Sequence, residues 1–168
     1  DITQMDYSNS AIPSLGWREE LEELRYLVSS DSFRPNSCLV NGYIDIEDRV
    51  GLHRDKDLFD GSNFVCTVSL GGTRRFIFRR WKGKIPESKK VPEGVEIPEI
   101  VETELNEGDV VYMYGNTNFY FEHEIAKYRK TKDSFEYAPR YSCTFRVIES
   151  GTKPIFERIE DMKKHYGK

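Results

Sequence analysis

Three side chains carry the strongest suggestion of chemistry: His53 and Asp55, in Gly51-Leu52-His53-Arg54-Asp55, and His123, in Phe121-Glu122-His123-Glu124-Ile125. In an extended segment, residues two apart project from the same face, about 7 Å apart, so an imidazole nitrogen and a carboxylate oxygen can converge on one ion. His123 follows seventy residues later, a separation that folded-back β structure closes. Two histidines and one carboxylate on one face of an octahedral ion leave three positions open, which suits an oxygen-activating iron centre. The same ligands suit zinc with a catalytic water, for which Glu122 or Glu124 would be the neighbouring base. On pattern alone an HxD pair is weak evidence and His53 reads as a turn residue bonded to Asp55 or Asp57, and His165, beside Lys164 and Tyr166, as a surface residue.

What surrounds the ion separates these readings. An oxygenase that uses a dicarboxylate needs fixed cations in its pocket, and Arg140 and Arg146 lie six apart on an alternating segment, Arg140 to Ile148, so both fall on one strand face. A planar guanidinium fork holds a carboxylate by two charge-assisted hydrogen bonds. Arg140 and Arg146 share their face with Ser142 and Thr144, opposite Tyr141, Cys143, Phe145 and Val147. If the apolar face packs between sheets, the arginine face lines a cavity. The bland reading is a pair of surface ion pairs.

The elements that must position these groups follow from periodicity. Residues 16–29 put Trp17, Leu21, Leu24 and Val28 on one helical face, with Glu19, Glu20, Glu22 and Glu23 toward the start, where the helix dipole favours them. After a turn at Pro35-Asn36, a strand is expected over 38–43. Residues 63–70 and 75–81, separated by Gly71-Gly72, read as a hairpin. Residues 82–101, with Pro86, Pro92 and Pro98, form a long excursion that leads into a short strand near 96–104. Strands are expected at 110–114, within 118–125, and at 140–148, and 128–139 reads as a charged loop. A packing helix is expected over 154–165, after Pro154. A helix, many short strands with Gly and Pro turns, and a second helix favour a mainly β two-sheet barrel or sandwich over a parallel α/β sheet.

Composition sets the limits. The chain has 168 residues, 38% hydrophobic and 32% charged, with ten Tyr, ten Phe and two Trp, which fits one globular domain with one core. No apolar run reaches the length of a membrane span, and the start lacks a secretory signal, so direct membrane insertion is not expected. Cys38, Cys66 and Cys143 are odd in number and widely spaced, so reduced thiols in a cytoplasmic compartment are expected. The formal charge of -4 conceals a local excess of cations, Arg54, Lys56, Arg74, Arg75, Arg79, Arg80, Lys82 and Lys84, against Asp55, Asp57 and Asp60. With those acids engaged by a metal, that surface would attract a polyanion; otherwise it is a charged edge strand.

The motifs in order are Asn41-Gly42-Tyr43, His53-Arg54-Asp55-Lys56-Asp57, Val68-Ser69-Leu70-Gly71, Gly108-Asp109-Val110-Val111-Tyr112-Met113-Tyr114-Gly115, His123, and Arg140-Tyr141-Ser142-Cys143-Thr144-Phe145-Arg146. Across residues 38–148 this combination resembles the AlkB-type branch of the iron(II)/2-oxoglutarate oxygenases. The resemblance implies a double-stranded β-helix, or jelly roll, over a single domain 1–168, with 1–37 a reduced N-terminal helical or lid section and 149–168 a C-terminal helix. It implies Fe(II) on His53, Asp55 and His123. It also implies 2-oxoglutarate held by Arg140 with Asn41, Tyr43 and Ser142, with Arg146 at the chelated end, and Asp57 reaching the substrate base. Some family members have Asn where this chain has Ser142, which shortens a polar contact near the cosubstrate.

The implied activity is oxidative demethylation of N-alkylated bases in single-stranded nucleic acid, RNA slightly ahead of DNA, coupled to decarboxylation of 2-oxoglutarate to succinate. Phe33, Trp81 or Tyr120 would stack on the base, and Arg74, Arg75, Arg79 and Arg80 would meet phosphates. Only forty residues precede Asn41, fewer than the lid section of most members, and the first residue is not Met. Both features suit a piece of a larger polyprotein, as in the compact viral members of the family, with the host cytoplasm as its location. Two other classes compete. A 2-oxoglutarate-dependent protein hydroxylase would turn over on a peptide, and an inactive nucleic-acid-binding module would bind oligonucleotides regardless of iron.

Overall fold

The computed structural model describes residues 15–55, 64–130 and 137–148, together with the backbone of 4–7 and 10–13. The described residues fall into two compact units, one holding the N-terminal section to Cys38 and the stretch from Phe145 onward, the other holding the chain from Leu39 through Thr144.

The first unit contains an antiparallel pair, β1 (Gln4–Tyr7) and β2 (Ser10–Pro13), and the helix α1 (Glu19–Val28). Three glutamates in the first turn of α1 and Arg25 in its last complement the dipole. Val28 is buried, whereas Tyr26 and Leu27 are exposed. The Arg25 guanidinium lies 4.5 Å from the centre of the Trp17 ring, and its Nε donates to the Pro35 carbonyl at 2.7 Å. Trp17 stacks on Phe145 at 6.4 Å, and the Asn36 side chain bonds both the N–H and the C=O of Ile148, each at 2.9 Å. The helix expected over 154–165 lies outside the described residues.

The second unit is built on two four-stranded sheets. The first has the order β3 (Ser37–Tyr43), β10 (Arg140–Arg146), β5 (Val65–Gly71), β8 (Val110–Met113). In the second the order is β4 (Val50–His53), β9 (Phe121–Ile125), β6 (Arg74–Arg80), β7 (Ile100–Leu105). Sequence neighbours are dispersed between the sheets, as in a jelly roll, the double-stranded β-helix that the motifs imply. A single helical turn, α2 (Thr117–Tyr120), leads into β9. Among the described residues the core of this unit includes Val65, Cys66, Val68, Phe76, Ile77, Leu105, Met113, Ile125 and Cys143, all under 9% exposed. β5 is interior to its sheet and nearly all of its residues are at least half-buried, so it lacks a solvent face.

One expectation is corrected here. The segments on either side of Gly71-Gly72 are strands, but not a hairpin: β5 and β6 belong to different sheets. The turn is a corner between sheets. Gly71 has φ +79°, and a Cβ on Gly72 would lie 2.2 Å from the Ala138 carbonyl oxygen, so backbone crosses backbone where only glycine fits. Period-2 alternation looks the same whether the next strand pairs with this one or crosses to another sheet. The excursion before β7 contains a single 3-10 turn, Glu87–Lys89. No helix among the described residues is long and apolar enough to cross a membrane.

Candidate active site

The seventy-residue gap between the histidines closes through strand pairing. β4 and β9 are antiparallel neighbours, and His53 stands directly opposite His123, with ring centroids 4.3 Å apart. Phe78 on β6 is the partner of His123 on the other side. The Phe76 and Phe78 rings lie 5.7 and 6.0 Å from the His123 imidazole and give it an apolar wall.

β4 ends at His53, and Asp55 follows in irregular backbone. The Asn118 side chain holds it there: the Asp55 N–H donates to Asn118 Oδ1 at 3.0 Å, and Asn118 Nδ2 donates to the Asp55 carbonyl. α2 therefore presents Asn118 to Asp55, and five residues later the same segment presents His123. The Asp55 side chain is 3% exposed, and its Oδ2 lies 3.6 Å from His123 Nε2. One ligand atom from each of His53, Asp55 and His123 falls within 4.8 Å of the other two.

These residues fit a divalent metal. His53 Nδ1 lies 2.9 Å from the Gly51 carbonyl, a contact that requires Nδ1 to carry the proton and leaves Nε2 as a lone-pair donor. Two imidazoles and one carboxylate then offer a three-atom donor set of the kind that suits such an ion.

The second group centres on Arg140, which is fully buried. Its neighbours in the first sheet flank it. From β5, Ser69 Oγ accepts from Arg140 Nη2 at 2.9 Å; from β3, the Tyr43 ring centre lies 5.0 Å from the guanidinium carbon. Arg140 Nε and Nη1 have no hydrogen-bond partner among the described residues. Burial pulls the Arg140 guanidinium below its ordinary pKa, and the hydrogen-bonding Tyr43 side chain partly offsets this. A buried cation with two unmet donors, between a hydroxyl and a phenol, fits a carboxylate.

Asn41 is half-buried on β3, two residues from Tyr43, and Ser142 is buried on β10, two residues from Arg140, so strand parity puts each on the face of its partner. Arg146 is buried at the end of β10. Asp57 lies outside the described residues.

Phe33 is 1% exposed in the first unit, so it is a core residue and not a base platform. Trp81 already carries a cation, with the Arg54 guanidinium 4.0 Å from its ring centre, and its indole lies so close to Gly83 that a Cβ there would come within 2.1 Å. Tyr120 is half-buried and accepts from Asn116 Nδ2 at 3.3 Å. The arginines expected to meet phosphates are largely committed: Arg75 pairs with Glu102 at 2.7 Å, Arg79 with Glu124 at 3.7 Å and Arg80 with Glu99 at 3.4 Å, while Arg74 is buried. The acids come from β9, β7 and the residue just before β7, the strands on either side of β6, which sequence spacing does not reveal. Sequence reasoning missed Asn118 and Ser69 as positioning groups. Ser69 lay within a quoted motif, whereas nothing in Asn118-Phe119-Tyr120 signals a clasp on Asp55.

A sequence model of the 2OG-Fe(II) oxygenase superfamily matches residues 2–146. The protein named DNA oxidative demethylase ALKBH2 from Bos taurus is 32% identical over 154 residues, covering 88% of this chain and 50% of that protein. Its Homo sapiens counterpart is 32% identical over 147 residues, covering 84% and 51%. The chain thus spans about half the length of the curated relatives it matches. A solved structure titled "The structure of OsALKBH1" aligns with TM-score 0.47 and 24% identity over 75% of this chain and 57% of that one. The family match spans the paired histidines, Asp55 and the buried Arg140 alike, and the chain belongs to the 2OG-Fe(II) oxygenase superfamily.

Proposed function

We propose that this chain removes alkyl groups from nitrogen atoms of nucleic-acid bases by oxidation, coupled to consumption of 2-oxoglutarate. The observation that carries this reading is the pairing of two sites in one unit: the His53, Asp55 and His123 ligand cluster, and the buried Arg140 with donors to spare. The relatives named as DNA oxidative demethylases support the substrate class.

When bound, Fe(II) and 2-oxoglutarate supply oxidation of an N-methyl carbon by dioxygen, giving succinate, carbon dioxide, formaldehyde and the demethylated base. The protein's part is to hold and orient. His53, Asp55 and His123 would hold the metal. Asn118 fixes the Asp55 backbone, the Gly51 carbonyl fixes the His53 tautomer, and Phe76 and Phe78 exclude water beside His123. Arg140 takes the far carboxylate of 2-oxoglutarate, with Ser69 and Tyr43 holding the guanidinium and Asn41 and Ser142 beside them. Arg146 at the chelated end, and Asp57 as a contact to the base, rest on their places in the motifs.

The substrate is a methylated single strand, because a base reaches a buried metal only outside its stack, and an unpaired base requires least energy to leave it. The test is a panel of N-methylated DNA and RNA oligonucleotides incubated with Fe(II), 2-oxoglutarate and ascorbate and read by mass. Loss of one methylene unit from the modified strand, abolished by His53→Ala, is expected. Succinate formation with no change in any oligonucleotide, together with hydroxylation of a peptide, would overturn the nucleic-acid reading.

A further inference from the structure

We propose that Arg74 is a second cation of the cosubstrate pocket, acting with Arg140 to make that pocket selective for a dicarboxylate. Arg74 opens β6 in the second sheet, whereas Arg140 opens β10 in the first. It is 2% exposed. Among the described residues its Nη1 donates only to main-chain carbonyls, to Thr73 at 2.9 Å and more weakly to Ala138 at 3.5 Å, and its Nε and Nη2 have no hydrogen-bond partner. No carboxylate among the described residues forms an ion pair with either arginine.

Contacts join the two guanidiniums into one cluster. Arg74 lies 5.3 and 4.9 Å from the ring centres of Tyr128 and Tyr137, and these rings meet edge to face at 5.3 Å. The Tyr137 hydroxyl donates to the Tyr43 carbonyl at 3.2 Å, and the Tyr43 ring underlies Arg140. The two cations are near enough that Arg74 adds to the downward pull on the Arg140 pKa. Two buried like charges in mutual repulsion, with four N–H-bearing atoms between them unmet among the described residues, call for an anion, and the distal carboxylate of 2-oxoglutarate supplies one. Tyrosine faces moderate a buried guanidinium but do not neutralise it.

This inference rests on the assignment of 2-oxoglutarate to Arg140, and the experiment separates the two. Binding is measured by calorimetry on the whole chain, anaerobically with Fe(II), with two probes: 2-oxoglutarate, and 2-oxopentanoate, which has the same carbon chain without the distal carboxylate. Arg74→Met and Arg74→Gln both remove the charge while filling the seat between the tyrosines, so one serves if the other fails to fold; Arg74→Lys restores the charge. The uncharged variants are expected to bind 2-oxoglutarate about 10- to 100-fold more weakly, the usual effect of losing a charge-assisted contact. Their affinity for 2-oxopentanoate is expected to change less than about threefold, with lysine recovering most of the loss. Equal losses for both probes, or no loss for either, would overturn the role of Arg74 and leave that of Arg140 standing. Failure of the unaltered protein to bind 2-oxoglutarate would overturn both.

Discussion

Asn118→Ala removes both hydrogen bonds that fix the main chain of Asp55, without touching a metal ligand. Each such bond contributes roughly 1 kcal/mol net, so about 2 kcal/mol of positional restraint is lost, equivalent to a factor of about thirty in an equilibrium constant. Because Asp55 follows the end of β4 with no ladder of its own, that restraint is what holds its carboxylate 3.6 Å from His123. The loss should therefore appear in metal affinity, within the 10- to 100-fold range typical of groups that orient ligands. Mn(II), a redox-inert stand-in, is titrated against the protein and the free ion followed by its paramagnetic resonance signal. The expected result is a Kd raised about thirtyfold, with the melting temperature of the metal-free protein lowered by roughly 4–8 °C. Asn118→Asp keeps the acceptor for the Asp55 N–H but sets a carboxylate oxygen against the Asp55 carbonyl, so it should do no better than alanine. A Kd for Asn118→Ala within threefold of the unaltered protein would refute the clasp as a positioning device.

Other outcomes follow from the same geometry. Alanine at His53, Asp55 or His123 should abolish Mn(II) binding in that titration, because each supplies one of three converging ligand atoms. Arg140→Met should weaken 2-oxoglutarate binding at least tenfold by calorimetry yet leave the ligand-free protein no less stable to heat, since a buried cation with unmet donors opposes folding. Gly72→Ala should lower the melting temperature by several degrees in a calorimetric scan, because its Cβ would lie 2.2 Å from the Ala138 oxygen and backbone must shift. Burial pushes the Cys66 thiol up to about 11 from an ordinary 9.0. The folded state then keeps its proton where the unfolded state loses it, so this group's contribution to stability should fall as pH rises above about 9, measurable as a falling denaturant midpoint that Cys66→Ala removes.

Much of the site was legible in the chain alone, for a chemical reason. Metal ligation and carboxylate binding restrict residue type, but His53 and Asp55 alone read as a turn and Arg140 as a surface ion pair; only the ordered combination of motifs with His123 and Arg146 singled them out. Strand positions were legible as well, since alternation is a local property of β5, β6 and β10. What joined to what was not. The corner at Gly71-Gly72 read as a hairpin, because period-2 patterning carries no information about which sheet receives the next strand. The cations of β6 read as a phosphate surface, because only the pairing with β7 and β9 reveals that Glu102, Glu99 and Glu124 already neutralise three of them. Asn118 and Arg74 were silent for the same reason. A side-chain amide clasping a distant main chain, or an arginine seated between two tyrosines, has no local pattern, and its meaning comes from neighbours that tertiary folding alone brings within bonding distance.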